Sequence, residues 1–113
     1  MPTIKTKIQI LNDSNSAFGP GKAQLLLAIA EHGSISVAAK SMSMSYKRAW
    51  DLVNAMNESF KEPLVVTKVG GSHGGGAEVT ALGLQVLSFY QEAFKRSEVF
   101  IHAQMSDVIK FLK

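Results

Sequence analysis

From Ile4 to Ile10 apolar and polar positions alternate, with Ile4, Thr6, Ile8 and Ile10 set against Lys5, Lys7 and Gln9. That period of two belongs to a strand with one buried and one wet face, and predicts a first strand. Asn12-Asp13-Ser14-Asn15-Ser16 follows, short polar side chains that bond their own backbone, and Gly19-Pro20-Gly21 adds breakers, so this segment reads as a loop. The spacing then lengthens to three and four: Leu25, Leu26, Ile29 and Ala30 share one side of a first helix from Lys22 to His32, with Pro20 suited to its start and Gly33 as its stop. Ser34 is placed to cap a short second helix, Ile35 to Met42. Ser43 offers a hydroxyl to a third helix, whose Ala49, Leu52, Val53, Met56 and Phe60 recur as a buried stripe. Pro63 ends that run, the β-branched stretch Leu64 to Val69 suits a strand, and a glycine-rich tip from Gly70 to Gly76 leads into Ala77-Glu78-Val79-Thr80. From Thr80, the positions Leu82, Val86, Leu87, Tyr90, Phe94, Ile101, Val108 and Leu112 predict a long final helix with a break near Ser106-Asp107.

The order is therefore strand, three helices, hairpin, long helix: a mainly α chain with a small β-hairpin wing. Two helices joined by a short turn and followed by a hairpin outline a winged helix-turn-helix. The close helix crossing requires small residues (Ala38, Ala39), apolar clamps at the turn (Met42, Met44) and buried positions in the second helix (Ala49, Leu52), and all six are present. The outer side of that second helix then carries Lys47, Asp51 and Asn54, with Tyr46, Arg48 and Trp50 on its flanks. A helix about 10 Å across fits a major groove about 12 Å wide, and residues in its first turns reach base edges. The bland reading of the same residues is the solvated face of a small helical domain.

Composition narrows the field. The 113 residues suit one domain, read as 1–113, with the helix-turn-helix at about 34–60, the wing at about 64–80 and the last helix at about 81–112. There is no cysteine, which removes disulfides, thiol nucleophiles and Cys-ligated metals. At 46% hydrophobic and 19% charged residues the chain is too apolar for disorder. No stretch reaches membrane-spanning length and no secretory h-region opens the sequence, so a cytoplasmic protein without membrane contact is expected. A net charge of +3 permits an anionic partner without demanding one. His32, His73 and His102 sit in separate elements without metal-ligand spacing, and no Ser-His-Asp set stands out, so neither an enzyme nor a metal or cofactor site is expected. The glycine run lacks the Lys-Ser/Thr ending of a phosphate-binding P-loop.

The stretch Gly33-Ser34-Ile35-Ser36-Val37-Ala38-Ala39-Lys40-Ser41-Met42-Ser43-Met44-Ser45-Tyr46-Lys47-Arg48-Ala49-Trp50-Asp51 resembles the helix-turn-helix of molybdate-responsive ModE-type regulators and, more distantly, of LysR-type regulators. The resemblance continues through Met56-Asn57, the polyglycine wing and Val79-Thr80-Ala81-Leu82-Gly83, covering roughly Gly19 to Phe100. It implies a transcriptional regulator that binds double-stranded DNA and dimerises through its terminal helices. Full-length ModE proteins carry C-terminal oxyanion-binding modules, and no room for one follows Lys113, so molybdate is not an expected ligand. Ser43 stands where many helix-turn-helix proteins use glycine.

The expected DNA contacts are Ser34, Ser36, Ser43, Ser45, Tyr46, Lys47, Arg48, Trp50 and Asp51 on the helix-turn-helix and Lys68, Ser72 and His73 on the wing, with Lys22 as a further phosphate contact. Asp51 is read as orienting a basic neighbour or accepting from a cytosine amino group. Leu87, Tyr90, Phe94, Ile101 and Val108 are the expected dimerisation residues, beside a second strip of Val86, Ala93 and Phe100. A two-fold dimer would set its recognition helices about 34 Å apart and read an inverted repeat. The competing readings are a winged protein-interaction module without a DNA role, and an oxyanion-binding protein.

Overall fold

The computed structural model describes residues 1–68 and 76–113, in the order β1 (Ile10–Asn12), β2 (Asn15–Phe18), α1 (Pro20–His32), α2 (Ile35–Ser41), α3 (Tyr46–Ser59), β3 (Val65–Lys68), β4 (Gly76–Val79) and α4 (Ala81–Ile109). Capping chemistry sets the helix starts. Pro20 opens α1, Ser34 accepts from the Val37 N–H at 3.1 Å, and Thr80 accepts from the Gly83 N–H at 3.0 Å. Gly33, at φ +67°, closes α1 with its N–H on the Ile29 carbonyl.

The N-terminal segment corrects the sequence reading. The ladder does not span Ile4 to Ile10. It begins at Ile10, and the expected loop at Asn12 to Ser16 is instead the tip of an antiparallel hairpin. Asp13 turns the chain at φ +56°, a conformation that a short polar side chain tolerates. The ladder ends at Ile10↔Phe18 because β2 runs straight into α1 at Gly19-Pro20, leaving the preceding residues no partner strand. The alternation survives as burial only up to Ile8: Ile4, Thr6 and Ile8 are half-buried while Lys5, Lys7 and Gln9 are exposed, but Ile10, expected on the buried face, is exposed. The Tyr90 hydroxyl fastens this segment by donating to the Ile8 carbonyl at 2.8 Å.

Phe18, Leu25, Leu26, Ile29, Val53, Met56 and Leu64 form the fully buried centre of the core. Phe18 meets Tyr90 edge-on at 5.1 Å and Phe60 at 6.0 Å, pairs that contribute about 0.5–1.5 kcal/mol each beyond their buried area. Asn57 ties α3 to the wing, its Oδ1 accepting from the Leu64 and Val65 N–H groups and its Nδ2 donating to the Val65 carbonyl. Strands β3 and β4 pair in the register Val65↔Val79 to Lys68↔Gly76, and the Ala77 N–H reaches the Gly33 carbonyl at 3.0 Å, seating the hairpin against the α1–α2 corner. At the hairpin's other end a Cβ on Gly83 would lie 2.5 Å from the Leu64 carbonyl oxygen, so only glycine lets α4 start this close to β3. α4 continues without the expected break near Ser106-Asp107. The arrangement is a winged helix-turn-helix with a long C-terminal helix. Among the described residues no helix is long and apolar enough to cross a membrane.

Candidate nucleic-acid interface

The crossing of α2 and α3 rests on Ala38, Ala39 and Ala49, all essentially without solvent exposure, and Met42 and Met44 pack against the same core. Between the helices the Met44 N–H bonds the Ala39 carbonyl and the Ser43 N–H bonds the Lys40 carbonyl, a Schellman closure of α2. Ser43 takes its left-handed position, at φ +52°. Ser43 is thus the pivot of the turn and not the cap of α3 that the sequence suggested. The cap is Ser45, which accepts from the Arg48 N–H at 3.0 Å. The left-handed residue needed two places earlier had pre-empted Ser43.

α3 buries Ala49, Val53 and Met56 and turns Tyr46, Lys47, Arg48, Asp51 and Asn54 to solvent. Lys47 Nζ donates to Asp51 Oδ2 at 3.1 Å on this open face. Trp50 is half-buried, packed against the core and edge-on to Tyr46 at 6.2 Å, which makes it a packing residue with one edge left outward. Ser36 is exposed on α2, while the Ser34 hydroxyl already serves the α2 cap. The outer side of α3 therefore presents cationic, carboxylate, amide and phenol groups on one anchored rod, the set of donors and acceptors that base edges and phosphates match.

On the wing, Lys68 forms a 2.8 Å ion pair with Glu78 across the two strands. Ser72 and His73 lie outside the described residues. Lys22 is not available at the surface as a simple phosphate contact: it is only 8% exposed, and its ammonium donates to the Ser16 carbonyl. Burial, and then the nearby Arg48 charge, hold its pKa below the ordinary 10.5.

The α4 positions divide. Leu87, expected at a dimer contact, is buried in the chain's own core, because it faces the same side as Gly83 where α4 crosses the body. Tyr90 is largely engaged too, by Phe18 and Ile8. Phe94 and Ile101 are half-buried and Val108 is exposed. Sequence reasoning missed Phe89 and Val99, which stand 74% and 72% exposed beside Phe100. The signal was present in the spacing Leu82, Val86, Phe89, Ala93, Arg96, Phe100, Ala103, a strict four-three repeat whose first two members pack against the core and whose later ones from Phe89 on are exposed. The Asn57 clamp on the wing was also missed, since its partners are backbone groups that no side-chain pattern marks.

Comparison with known proteins places this geometry. The family profile of bacterial regulatory helix-turn-helix proteins, lysR family, matches residues 21–84. The molybdenum transport protein ModE of Azotobacter vinelandii is 39% identical over 85 residues, 75% of this chain and 32% of that protein. The molybdenum-pterin-binding protein MopB of Rhodobacter capsulatus is 41% identical over 72% of this chain and 30% of its own length. The DNA-binding transcriptional dual regulator ModE of Escherichia coli strain K12 is 44% identical over 63% of this chain and 27% of its own. This chain thus spans about a third or less of the curated relatives it matches. Among solved structures, the CbnR_DBD-DNA complex superposes with a TM-score of 0.60 at 20% identity, covering 78% of this chain and 95% of that one. ArgP from Mycobacterium tuberculosis gives 0.54 at 20% identity, covering 75% and 30%; both likenesses concern the fold. With the profile spanning the turn, the recognition helix, the wing and the start of α4, the chain belongs to the LysR family of bacterial regulatory helix-turn-helix proteins, and its helix-turn-helix is similar to that of the ModE type.

Proposed function

We propose that this chain is a DNA-binding transcriptional regulator, working by binding and not by catalysis, in the cytoplasm, as a two-fold homodimer on an inverted repeat. The observation that carries the reading is α3 itself, held by Ala49, Val53 and Met56 while Lys47, Arg48, Asp51 and Asn54 stand outward. The E. coli relative described as a DNA-binding transcriptional dual regulator, and the structural neighbour captured on DNA, support the same partner. In this reading Tyr46, Lys47, Arg48 and Asp51 meet the major groove, Ser34, Ser36 and Ser45 meet phosphates beside it, the two capping serines through the hydroxyl proton that the cap leaves free, and Lys68, Ser72 and His73 act from the wing. Ser43 and Trp50 contribute by holding the motif in shape.

The exposed length of α4 supports the dimer reading. Its 29 residues extend about 43 Å, yet only Gly83 and Leu87 are buried. A single helix projecting into water with Phe89, Val99, Phe100 and Val108 exposed lacks the packing that normally sustains helices. A second α4 laid along the Phe89–Ala93–Phe100 strip supplies that packing, with Phe94, Ile101 and Val108 at its border.

Selection of bound duplexes from a random pool, followed by a salt titration, tests the proposal. An enriched inverted repeat with half-sites about 10 bp apart, bound with a steep salt dependence, is the expected result. Salt-independent behaviour with no enriched sequence overturns it in favour of a protein-interaction module.

A further inference from the structure

The four-three row that runs along α4 from Leu82 to Asp107 reads the same from either end about a point between Phe94 and Lys95. A second α4 can follow such a row in either direction, and the side chains separate the two. Run parallel, Arg96 faces the partner's Arg96 inside the seam, a contact between like charges. Run antiparallel about the midpoint, Phe89 meets the partner's Phe100 and Arg96 meets the partner's Ala93, an aromatic pair beside a large side chain set against a small one. Arg96 then keeps Glu92, its ion-pair partner at 2.8 Å, on the flank of the seam. The antiparallel order also carries the distal end of each α4 back onto the other body, where Leu82, half-buried in its own chain, lies opposite the partner's Asp107. Beside Leu82 a notch opens where the α3–β3 turn meets the first turn of α4, lined by Lys61, Glu62, Thr80 and Gln85 among others. Lys61 and Glu62 are exposed, and none of the ion pairs among the described residues includes either. Asp107 has only an exposed pair with Lys110. A carboxylate brought against Leu82 loses water and needs a cation beside it, which Lys61 supplies. We propose that this notch is the docking site for the distal end of a second copy's α4, with Lys61 toward the partner's Asp107 and Glu62 toward the partner's Lys110, the two helices lying antiparallel.

This docking rests on the homodimer proposed above, so sedimentation of the full chain comes first. A monomer at every concentration overturns the dimer and the docking together, whereas every other outcome bears on the docking alone. The chain has no cysteine, so introduced thiols report cleanly. Gln85→Cys and Ser106→Cys, both at exposed positions, are combined in one chain. Along one α4 the two positions stand about 32 Å apart, far beyond the roughly 7 Å that a disulfide spans, so a bond between them joins two copies. Oxidation is expected to yield a covalent dimer from the double variant and from neither single variant, because the antiparallel order holds like positions about 30 Å apart. A covalent dimer from Ser106→Cys alone, or none from the double variant, overturns the docking. Charge reversal gives a second readout. Lys61→Asp is expected to raise the dimer dissociation constant about tenfold, and adding Asp107→Lys is expected to recover most of that loss. Unchanged dimerisation by Lys61→Asp with native circular dichroism overturns the assigned pair.

Discussion

Single residues separate shape from contact in this motif. Ser43 adopts a left-handed conformation that costs a non-glycine residue of the order of 1 kcal/mol. Ser43→Gly is therefore expected to raise the unfolding free energy by about 0.5–1 kcal/mol in denaturant titration while leaving DNA affinity unchanged. A loss of affinity would instead make the hydroxyl a DNA contact. Lys47 is the converse case. Its pairing with Asp51 is fully solvated and contributes little to folding, so Lys47→Ala should leave the melting temperature nearly unchanged. Its duplex binding should weaken by about 1–3 kcal/mol if Lys47 reads a base, or lose about one unit of salt slope with sequence preference intact if it serves a phosphate. Lys47 and Asp51 were legible as an exposed pair because helical periodicity alone sets them opposite Ala49. Lys22 was not, since nothing in a linear pattern shows that the hairpin ahead of α1 folds over it.

Among the elements, the helices were readable because each begins at a residue with its own capping chemistry, and the glycine and proline breaks lie where the chain turns. The N-terminal strand was misplaced for a non-local reason: the length of a ladder depends on where its partner ends, and β2 ends at Gly19-Pro20. What holds the unpaired stretch is Tyr90. Tyr90→Phe should cost about 1 kcal/mol and speed amide exchange or proteolysis between Ile4 and Gln9. Burial raises the Tyr90 pKa above its ordinary 10.0, so the unfolded chain loses this proton first as pH climbs. Stability contributed below pH 10 is lost above it in the parent, and Tyr90→Phe should lack that alkaline component in pH-dependent melts. The junction of β3 and α4 makes a different demand. In Gly83→Ala the new methyl meets the Leu64 carbonyl and the Val79 side chain, and a loss of about 1–3 kcal/mol on chemical unfolding is expected.

The whole molecule measures 59 × 29 × 23 Å, elongated by α4. In the proposed dimer a charge placed at the centre of the exposed strip has no stabilising partner. Phe100→Asp should therefore shift the sedimenting species to monomer, weaken binding to a full inverted repeat, and leave the circular dichroism of the body intact, because Phe100 is exposed in the single chain. A dimer that persists would move the interface elsewhere. The attachment of the wing to α4 has a mechanical consequence at this scale. Thr80 holds the Pro63 carbonyl at 2.8 Å, its N–H holds the Leu64 carbonyl at 2.9 Å, and Gly83 sits directly against that same group. The hairpin root and the first turn of the long helix are thereby tied at three points, so that in the proposed dimer the angle at which two α4 helices cross sets the spacing between the roots of the two hairpins.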